Sequence, residues 1–171
     1  PLGYGNSEVI SQGWLGLRKR RAWEDSINKF SDALLNELIP EVEKTYHVSQ
    51  HRQDRAITGL SMGGTQALFI GLNALDRFVW IGAFSSGGLD PDFDRAYGQV
   101  SKDINTLLRL LWIGCGQEDG LIDINQQLVD WLQSKDVRHS WIKTPGSHSF
   151  MVWRRYLAEF LPLLFQESVS D

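Results

Sequence analysis

The feature that most constrains the fold is a repeated alternation of short apolar segments with longer helical patterns between residues 55 and 166. The apolar segments predict four strands: RAITGL, FVWIGAF, LRLLWIGC and VRHSWIKT. The helical patterns are MGGTQALFIGLNAL, LIDINQQLVDWLQSK and FMVWRRYLAEFLPLLFQ, with a weaker helical stretch between the second and third strands. Because strand and helix alternate, the sequence predicts parallel βαβ units, that is, an α/β fold with helices on both faces of a mainly parallel sheet.

The length of the chain favours a single domain. At 171 residues and 42% hydrophobic content it can bury one substantial core, and no repeat or low-complexity linker divides it. Before the first strand, apolar residues at three- and four-residue steps predict an amphipathic helix from residue 22 to about residue 46, with a kink at Pro40. We therefore expect one domain over residues 1–171.

Composition and charge narrow the classes of function. The net charge is −4, and the one tight basic run, RKRR at residues 18–21, is interpreted as a solvated loop rather than a nucleic-acid site. No apolar run is long enough to cross a membrane, and the first residues lack the charged and apolar regions of a signal peptide. We expect a soluble protein without nucleic-acid or membrane partners, and the sequence leaves a secreted or periplasmic location open.

A serine flanked by glycines stands directly after the first predicted strand. Gly59, Ser61 and Gly63 form the pattern G-x-S-x-G, and a helix rich in small residues follows. In this context the serine lies on a sharp turn that exposes its hydroxyl, and the glycines are expected at positions where a Cβ atom would clash. The five-residue pattern is weak by itself, so its weight comes from the strand before it and the helix after it.

A serine nucleophile needs a base, and the base needs an acid that orients it. Asp119 follows the third predicted strand and His148 the fourth, so both lie where parallel strands end at one edge of the sheet. Taken alone, Asp119 also fits a helix N-terminus and His148 a turn. Glu118 and Asp123 are alternative acids, and Asp123 falls inside the following helix. Together, the positions predict a triad of Ser61, His148 and Asp119.

Other patterns complete the prediction of the site. The only cysteine, Cys115, lies in LLWIGCG and is expected to be a buried hydrophobe, so no intrachain disulfide exists. The scattered histidines lack metal-ligand spacing, so we expect no metal and no cofactor. The segment GAFSSGG at residues 82–88 is expected at the rim of the pocket. Phe150 and Trp153, beside His148, are candidate substrate-binding residues for an aryl acid or a sugar, with core or rim packing as the alternative.

Longer runs of the sequence resemble the putative-esterase family of α/β-hydrolases over nearly the whole chain. These runs are PLGYG, LIPEVEKTYHV, RAITGLSMGGTQAL, FVWIGAFSSGG, IGCGQEDGLID and PGSHSFMVWRRYLAEFLPLLFQ, and the last is most similar to bacterial feruloyl-esterase and enterochelin-esterase-like proteins. The resemblance implies an α/β-hydrolase fold with Ser61 as the nucleophile and the Met62 backbone N–H as one oxyanion-hole donor. It also implies Asp119 as the acid and His148 as the base.

The chain departs from the family pattern at its start. In the family, a second oxyanion donor belongs to a loop, typically His-Gly-x-x-Gly, that comes before the segment similar to PLGYG. The resemblance therefore implies an N-terminally truncated domain that lacks the first strands of the sheet. We expect an upstream segment or a homo-oligomer interface to complete it, because the strand at residues 56–60 would otherwise be a bare apolar edge.

These features predict a serine carboxylesterase that hydrolyses small acyl or aryl, feruloyl-type, esters through an acyl-enzyme intermediate. The expected partner is a small-molecule ester. Two alternatives from other classes stay open: a non-catalytic or truncated hydrolase-fold binding domain, and an acyltransferase to a carbohydrate.

Overall fold

The computed structural model describes residues 20–166 of the chain. The chain divides into two compact units, residues 1–50 and residues 51–171. The single domain expected over residues 1–171 stays a prediction.

The described part of the first unit is a nearly continuous helical run. Helix α1 spans Arg20–Asp32, helix α2 spans Ile39–Thr45, and a π-helical segment, Ala33–Leu38, connects them. Pro40, near the start of α2, has no N–H to donate to the preceding turn. The π-helical segment ends two residues before Pro40. The irregularity expected at Pro40 thus takes the form of a π-helical stretch.

The basic run that the sequence places in a loop extends into α1. Arg20 and Arg21 have helical backbone, so the loop interpretation is wrong for these two residues. Arg18 and Lys19 lie outside the described residues.

The second unit alternates strand and helix, as the sequence predicts. Its strands are β1 (Ala56–Leu60), β2 (Trp80–Phe84), β3 (Leu110–Gly116) and β4 (Ser140–Thr144). Its α-helices are α3 (Met62–Asn73), α4 (Phe93–Ala96), α5 (Ile122–Ser134) and α6 (Phe150–Phe160). Short 3₁₀ helices span Arg52–Asp54, Lys102–Thr106 and Leu161–Leu163.

The four strands form one parallel sheet in the order β1-β2-β3-β4. Leu60 at the end of β1 pairs with Phe84 at the end of β2, and Phe84 pairs with Gly114 of β3. Because every pair is parallel, all four carboxyl ends lie at the same edge of the sheet, and the loops that follow them meet there. This confirms the predicted parallel α/β architecture.

Element boundaries differ from the sequence prediction by a few residues. The strand predicted at residues 137–144 begins at Ser140, so His139 lies just before it. The helix predicted at residues 150–166 ends at Phe160, and a 3₁₀ turn containing Pro162 follows. Proline cannot donate the hydrogen bond that would continue the helix, which explains the early end.

Two hydrophobic clusters cover opposite faces of the sheet, because side chains alternate along each strand. On one face, β2 and β3 pack against α3 and α5 through Ile81, Ala83, Leu111, Ile113, Leu68, Leu72, Leu128 and Leu132. On the other face, the same strands pack against α6 through Phe84, Trp112, Val152, Tyr156 and Phe160. Full burial of one such side chain stabilises a fold by about 1.5–3 kcal/mol. The clusters therefore hold the strands, and with them the loops at their carboxyl ends, in fixed positions.

Candidate active site

Ser61 stands on the sharp turn between β1 and α3. Its backbone has φ 55° and ψ −124°, a conformation that non-glycine residues rarely adopt. Gly59 permits this turn, since a Cβ atom there would lie 2.1 Å from the Gly63 carbonyl oxygen. At Gly64 a Cβ atom would lie 2.8 Å from Ser86 Oγ. A Cβ atom on Gly63, in contrast, would meet no atom of the described residues within 4 Å, so the steric role expected for that glycine is wrong.

Backbone hydrogen bonds tie the Ser61 turn to the loop after β2. The Ser61 N–H donates to the Phe84 carbonyl (2.9 Å), and the Gly87 N–H donates to the Ser61 carbonyl (2.9 Å). The Thr65 hydroxyl donates to the Gly87 carbonyl (2.8 Å). The segment at residues 82–88, which the sequence places at the pocket rim, therefore ends beside the Ser61 side chain.

Met62 begins α3 directly after Ser61. Its backbone N–H is one of the first-turn donors that have no acceptor inside the helix. No backbone carbonyl of residues 20–166 accepts a hydrogen bond from it. The N-terminus of a helix also carries partial positive charge, which favours an anion at that end. The Met62 N–H is therefore a candidate donor to negative charge that develops beside Ser61.

The imidazole of His148 joins the Ser61 hydroxyl to a carboxylate. Its Nε2 atom lies 3.0 Å from Ser61 Oγ, and its Nδ1 atom lies 2.9 Å from Asp119 Oδ2. With an N–H on Nδ1 directed at the carboxylate, Nε2 carries the lone pair that can accept the serine proton. The His148 side chain is 33% exposed, so this end of the sheet is open to solvent.

Asp119 is held in one orientation inside the protein. Its side chain is 0% exposed, and its Oδ1 atom accepts a hydrogen bond from the Leu121 N–H (2.9 Å) while Oδ2 faces His148. A buried carboxylate is costly unless hydrogen bonds or a cation compensate its charge. Because both oxygens are bonded, the carboxylate cannot rotate without losing a partner.

The two alternative acids have other environments. The Glu118 carboxylate accepts a hydrogen bond from the Gly146 N–H, and the Glu118 N–H donates to the Gly146 carbonyl (3.2 Å). Asp123 is exposed in the first turn of α5. Of the three carboxylates, Asp119 is the one that contacts His148.

Glu118 instead links the loop after β3 to the loop that carries His148. The end of β3 touches the same loop, since a Cβ atom at Gly116 would lie 2.0 Å from the Gly146 carbonyl oxygen. Gly146 has φ 125°, a conformation that favours glycine. Sequence reasoning missed this contact, because Glu118 and Gly146 are 28 residues apart and no local pattern pairs them.

The two aromatic candidates near His148 differ in exposure. Trp153 is 7% exposed, and its indole N–H donates to Ser85 Oγ (3.0 Å). Its ring is nearly perpendicular to the His148 imidazole, with centroids 4.7 Å apart. Phe150 is 71% exposed, and its ring centroid lies 5.2 Å from that of Trp153. Phe150 therefore offers apolar surface beside the site, whereas Trp153 mainly packs against the imidazole.

Asn125, which sequence reasoning also missed, is fully buried in α5. Its Oδ1 atom accepts the Ser86 N–H (3.1 Å), and its Nδ2 atom donates to the carbonyls of Ser86 (3.0 Å) and Leu121 (2.8 Å). It thus bridges the loops that follow β2 and β3. The one signal in the sequence is its position in the buried stripe of α5, three residues before Leu128 and seven before Leu132.

Cys115 lies near the acid but inside the core. Its side chain is buried, as the sequence predicts. Burial, and secondarily the negative charge of Asp119, raises the pKa of the Cys115 thiol from 9.0 to about 12. The thiol therefore stays protonated at neutral pH and behaves as a small hydrophobe.

In the part of the chain that the structure describes, no three His, Cys, Asp or Glu side chains are grouped so that they could hold a metal ion. The expectation of no metal and no cofactor stays a prediction. No helix within residues 20–166 has the length and apolar character needed to cross a membrane.

Comparison with known sequences matches most of the chain. The model of a family described as putative esterase matches residues 8–164. An endo-1,4-beta-xylanase/feruloyl esterase from Xylanibacter ruminicola is 29% identical over 139 residues, which cover 81% of this chain and 18% of the relative. An acetyl esterase from Caldicellulosiruptor saccharolyticus is 27% identical over 181 aligned residues, which cover 86% of this chain and 67% of the relative.

Comparison with solved structures also finds an esterase. A ferulic acid esterase superposes with a TM-score of 0.68 at 27% identity, covering 81% of this chain and 62% of that structure. The match confirms the predicted α/β-hydrolase fold class. The chain nevertheless spans only 18% of the length of the first curated relative and less than two thirds of the solved structure.

Proposed function

We propose that this chain, which belongs to the putative-esterase family, is a serine carboxylesterase with Ser61 as nucleophile, His148 as base and Asp119 as acid. The observation that carries the proposal is the continuous hydrogen-bonded path from Ser61 Oγ through His148 to Asp119, with distances of 3.0 Å and 2.9 Å. A serine hydroxyl is a weak nucleophile until an adjacent base accepts its proton, and this path supplies such a base.

The first half of the proposed reaction is acylation of the serine. His148 Nε2 accepts the proton from Ser61 Oγ as the oxygen attacks the ester carbonyl carbon. The Met62 N–H donates to the oxyanion of the tetrahedral intermediate, and the loss of one such donor typically slows turnover about 10²–10³-fold. The protonated imidazole then gives its proton to the departing alcohol as the ester bond breaks, which leaves the acyl group on Ser61.

The second half returns the enzyme to its starting state. A water molecule gives a proton to His148 Nε2 and attacks the acyl carbon, and the imidazole then protonates Ser61 Oγ as the carboxylic acid leaves. Asp119 holds the required tautomer and stabilises the imidazolium formed in each half. Its burial and its second hydrogen bond, from the Leu121 N–H, support this role because they prevent it from turning away.

The proposed substrates are small acyl esters and aryl, feruloyl-type, esters. Relatives named as an acetyl esterase and a feruloyl esterase support both classes. The exposed ring of Phe150 packs against Trp153, whose ring in turn packs against the His148 imidazole, and Phe150 is proposed as a surface for an aromatic acyl group. No cofactor takes part in this chemistry.

The experiment compares the native chain, Ser61→Ala and the control Ser147→Ala on p-nitrophenyl acetate and methyl ferulate. Ser147 is an exposed serine next to His148, so its substitution tests for unspecific effects. We expect Ser61→Ala to lower turnover by about 10⁶-fold and to abolish labelling by a fluorophosphonate probe, while Ser147→Ala keeps both.

Three outcomes would redirect the proposal. A native chain that neither hydrolyses esters nor reacts with the probe would indicate the binding-domain alternative. Hydrolysis that Ser61→Ala leaves intact would remove Ser61 from the mechanism. Acylated sugar formed at the expense of hydrolysis, when a xylo-oligosaccharide is added, would indicate the acyltransferase.

A further inference from the structure

We infer that Gly87, in the loop after β2, is a specificity-determining residue whose missing side chain leaves room for the acyl group of the ester. The inference rests on the proposed esterase function. A Cβ atom at Gly87 would lie 3.5 Å from Ser61 Oγ and 3.6 Å from the Ser61 carbonyl carbon. In the proposed reaction the acyl carbon bonds to that same oxygen, so the groups attached to it need the space in front of Gly87.

Leu121 lies directly beside Gly87 and limits the room for a side chain there. A Cβ atom at Gly87 would lie 3.2 Å from Leu121 Cδ1, closer than the usual carbon contact of about 3.5–4.0 Å. Both residues are partly exposed, as expected for the lining of an open site. The Leu121 N–H donates to Asp119 Oδ1 (2.9 Å), which holds Leu121 in place beside the acid.

The loop that carries Gly87 is held in place and cannot easily move away. The Gly87 N–H donates to the Ser61 carbonyl (2.9 Å), and the Gly87 carbonyl accepts a hydrogen bond from the Thr65 hydroxyl (2.8 Å). Ser86, the residue before it, is bonded through both its N–H and its carbonyl to buried Asn125. An outward shift would break these bonds, so a side chain added at Gly87 would narrow the space beside Ser61 instead of displacing the loop.

Backbone conformation does not explain a glycine at this position. Among the described glycines, positive φ occurs at Gly88 (77°) and Gly146 (125°), and not at Gly87. An alanine at Gly87 is therefore compatible with the backbone, and its effect comes from the added methyl group. This makes Gly87→Ala a direct probe of the space beside the nucleophile.

The test varies the acyl group on a constant leaving group. Rates are measured with p-nitrophenyl acetate and p-nitrophenyl ferulate for the native chain, Gly87→Ala and the control Gly120→Ala. At Gly120, in the loop after β3, a Cβ atom would meet nothing within 4 Å among the described residues. We expect Gly87→Ala to reduce kcat/KM for the ferulate ester at least about tenfold more than for the acetate ester. Gly120→Ala should leave the ratio of the two rates unchanged.

A second variant keeps the test informative if Gly87→Ala folds poorly. Leu121→Ala removes the side chain that lies beside Gly87, which widens the space there, and should shift the ratio towards ferulate. Active-site titration with a fluorophosphonate probe corrects each rate for the fraction of folded, reactive protein.

The inference is overturned if both variants keep the native ratio, if the loss follows the alcohol of the ester rather than its acyl group, or if the native chain accepts acetate alone. Comparison of methyl ferulate with p-nitrophenyl ferulate, which share the acyl group, distinguishes a loss that follows the alcohol from the expected loss that follows the acyl group. A native chain without any hydrolysis would overturn the proposed function and, with it, this inference. A native chain that hydrolyses both esters, with variants that keep its ratio, would overturn this inference alone.

Discussion

The Nε2 atom of His148 lies 3.0 Å from the hydroxyl oxygen of Ser61, although 87 positions separate these residues in the chain. Ser61 follows β1 and His148 follows β4, which are not neighbours in the sheet order β1-β2-β3-β4. Three strand spacings of about 4.8 Å separate the two strands. The contact therefore depends on loops that reach across the carboxyl ends of β2 and β3.

Replacing Asp119 by Asn should lower kcat for p-nitrophenyl acetate by about 10⁴-fold with little change in KM, because an amide favours the wrong imidazole tautomer. Glu118→Gln is the matched control, since Gln keeps an acceptor for the Gly146 N–H. Its effect on kcat should be far smaller. If steady-state kinetics showed the reverse order, the role of the acid would pass to Glu118.

The two glycines on either side of Ser61 should respond differently to Ala. Gly59→Ala places a methyl group 2.1 Å from the Gly63 carbonyl oxygen, so we expect a loss of at least about 3 kcal/mol in the free energy of unfolding, or no folded protein. Gly63→Ala meets no described atom and lies inside α3, where Ala is favoured over Gly by about 1 kcal/mol. Thermal unfolding measures both, and equal melting temperatures for the two variants would contradict the geometry.

Asn125→Ala should destabilise the fold by about 2–4 kcal/mol, because it leaves the Ser86 N–H and carbonyl buried without their partner. The control Gln127→Ala changes an exposed residue two positions later in the same helix and should alter the free energy of unfolding by less than about 0.5 kcal/mol. Urea titration followed by tryptophan fluorescence gives both values. Identical midpoints for the two variants would show that the Asn125 bonds contribute nothing.

Cys115 should resist thiol reagents in the folded protein at pH 8, because burial keeps its pKa at about 12 and the thiolate is the reactive form. Folding raises this pKa from 9.0, so the unfolded chain loses the proton more readily. The Cys115 contribution to stability is then complete below pH 9 and declines as the pH rises from 9 towards 12. Colour development with dithiobis(nitrobenzoate) should be slow in buffer and rapid in urea. A rapid reaction in buffer would place the thiol at the surface.

Much of the site could be predicted from local sequence signals. Ser61 has a motif around it, and His148 and Asp119 each follow an apolar segment of strand length. Runs such as RAITGLSMGGTQAL and IGCGQEDGLID also resemble the putative-esterase family, and the family match confirms that membership. The contacts of Glu118, Asn125 and Ser85 could not be predicted, because each joins segments that are far apart in the chain and that only the folded sheet brings together.

The sequence by itself determined the alternation of strands and helices and the residues that stand at the strand ends, because periods of two and of 3.6 residues are local properties of the chain. Only the tertiary structure decided that Asp119 and not adjacent Glu118 meets His148, since neighbouring side chains in a loop point in different directions. It also decided that Gly87 faces the Ser61 hydroxyl, because that distance follows from sheet register and loop hydrogen bonds between distant parts of the chain.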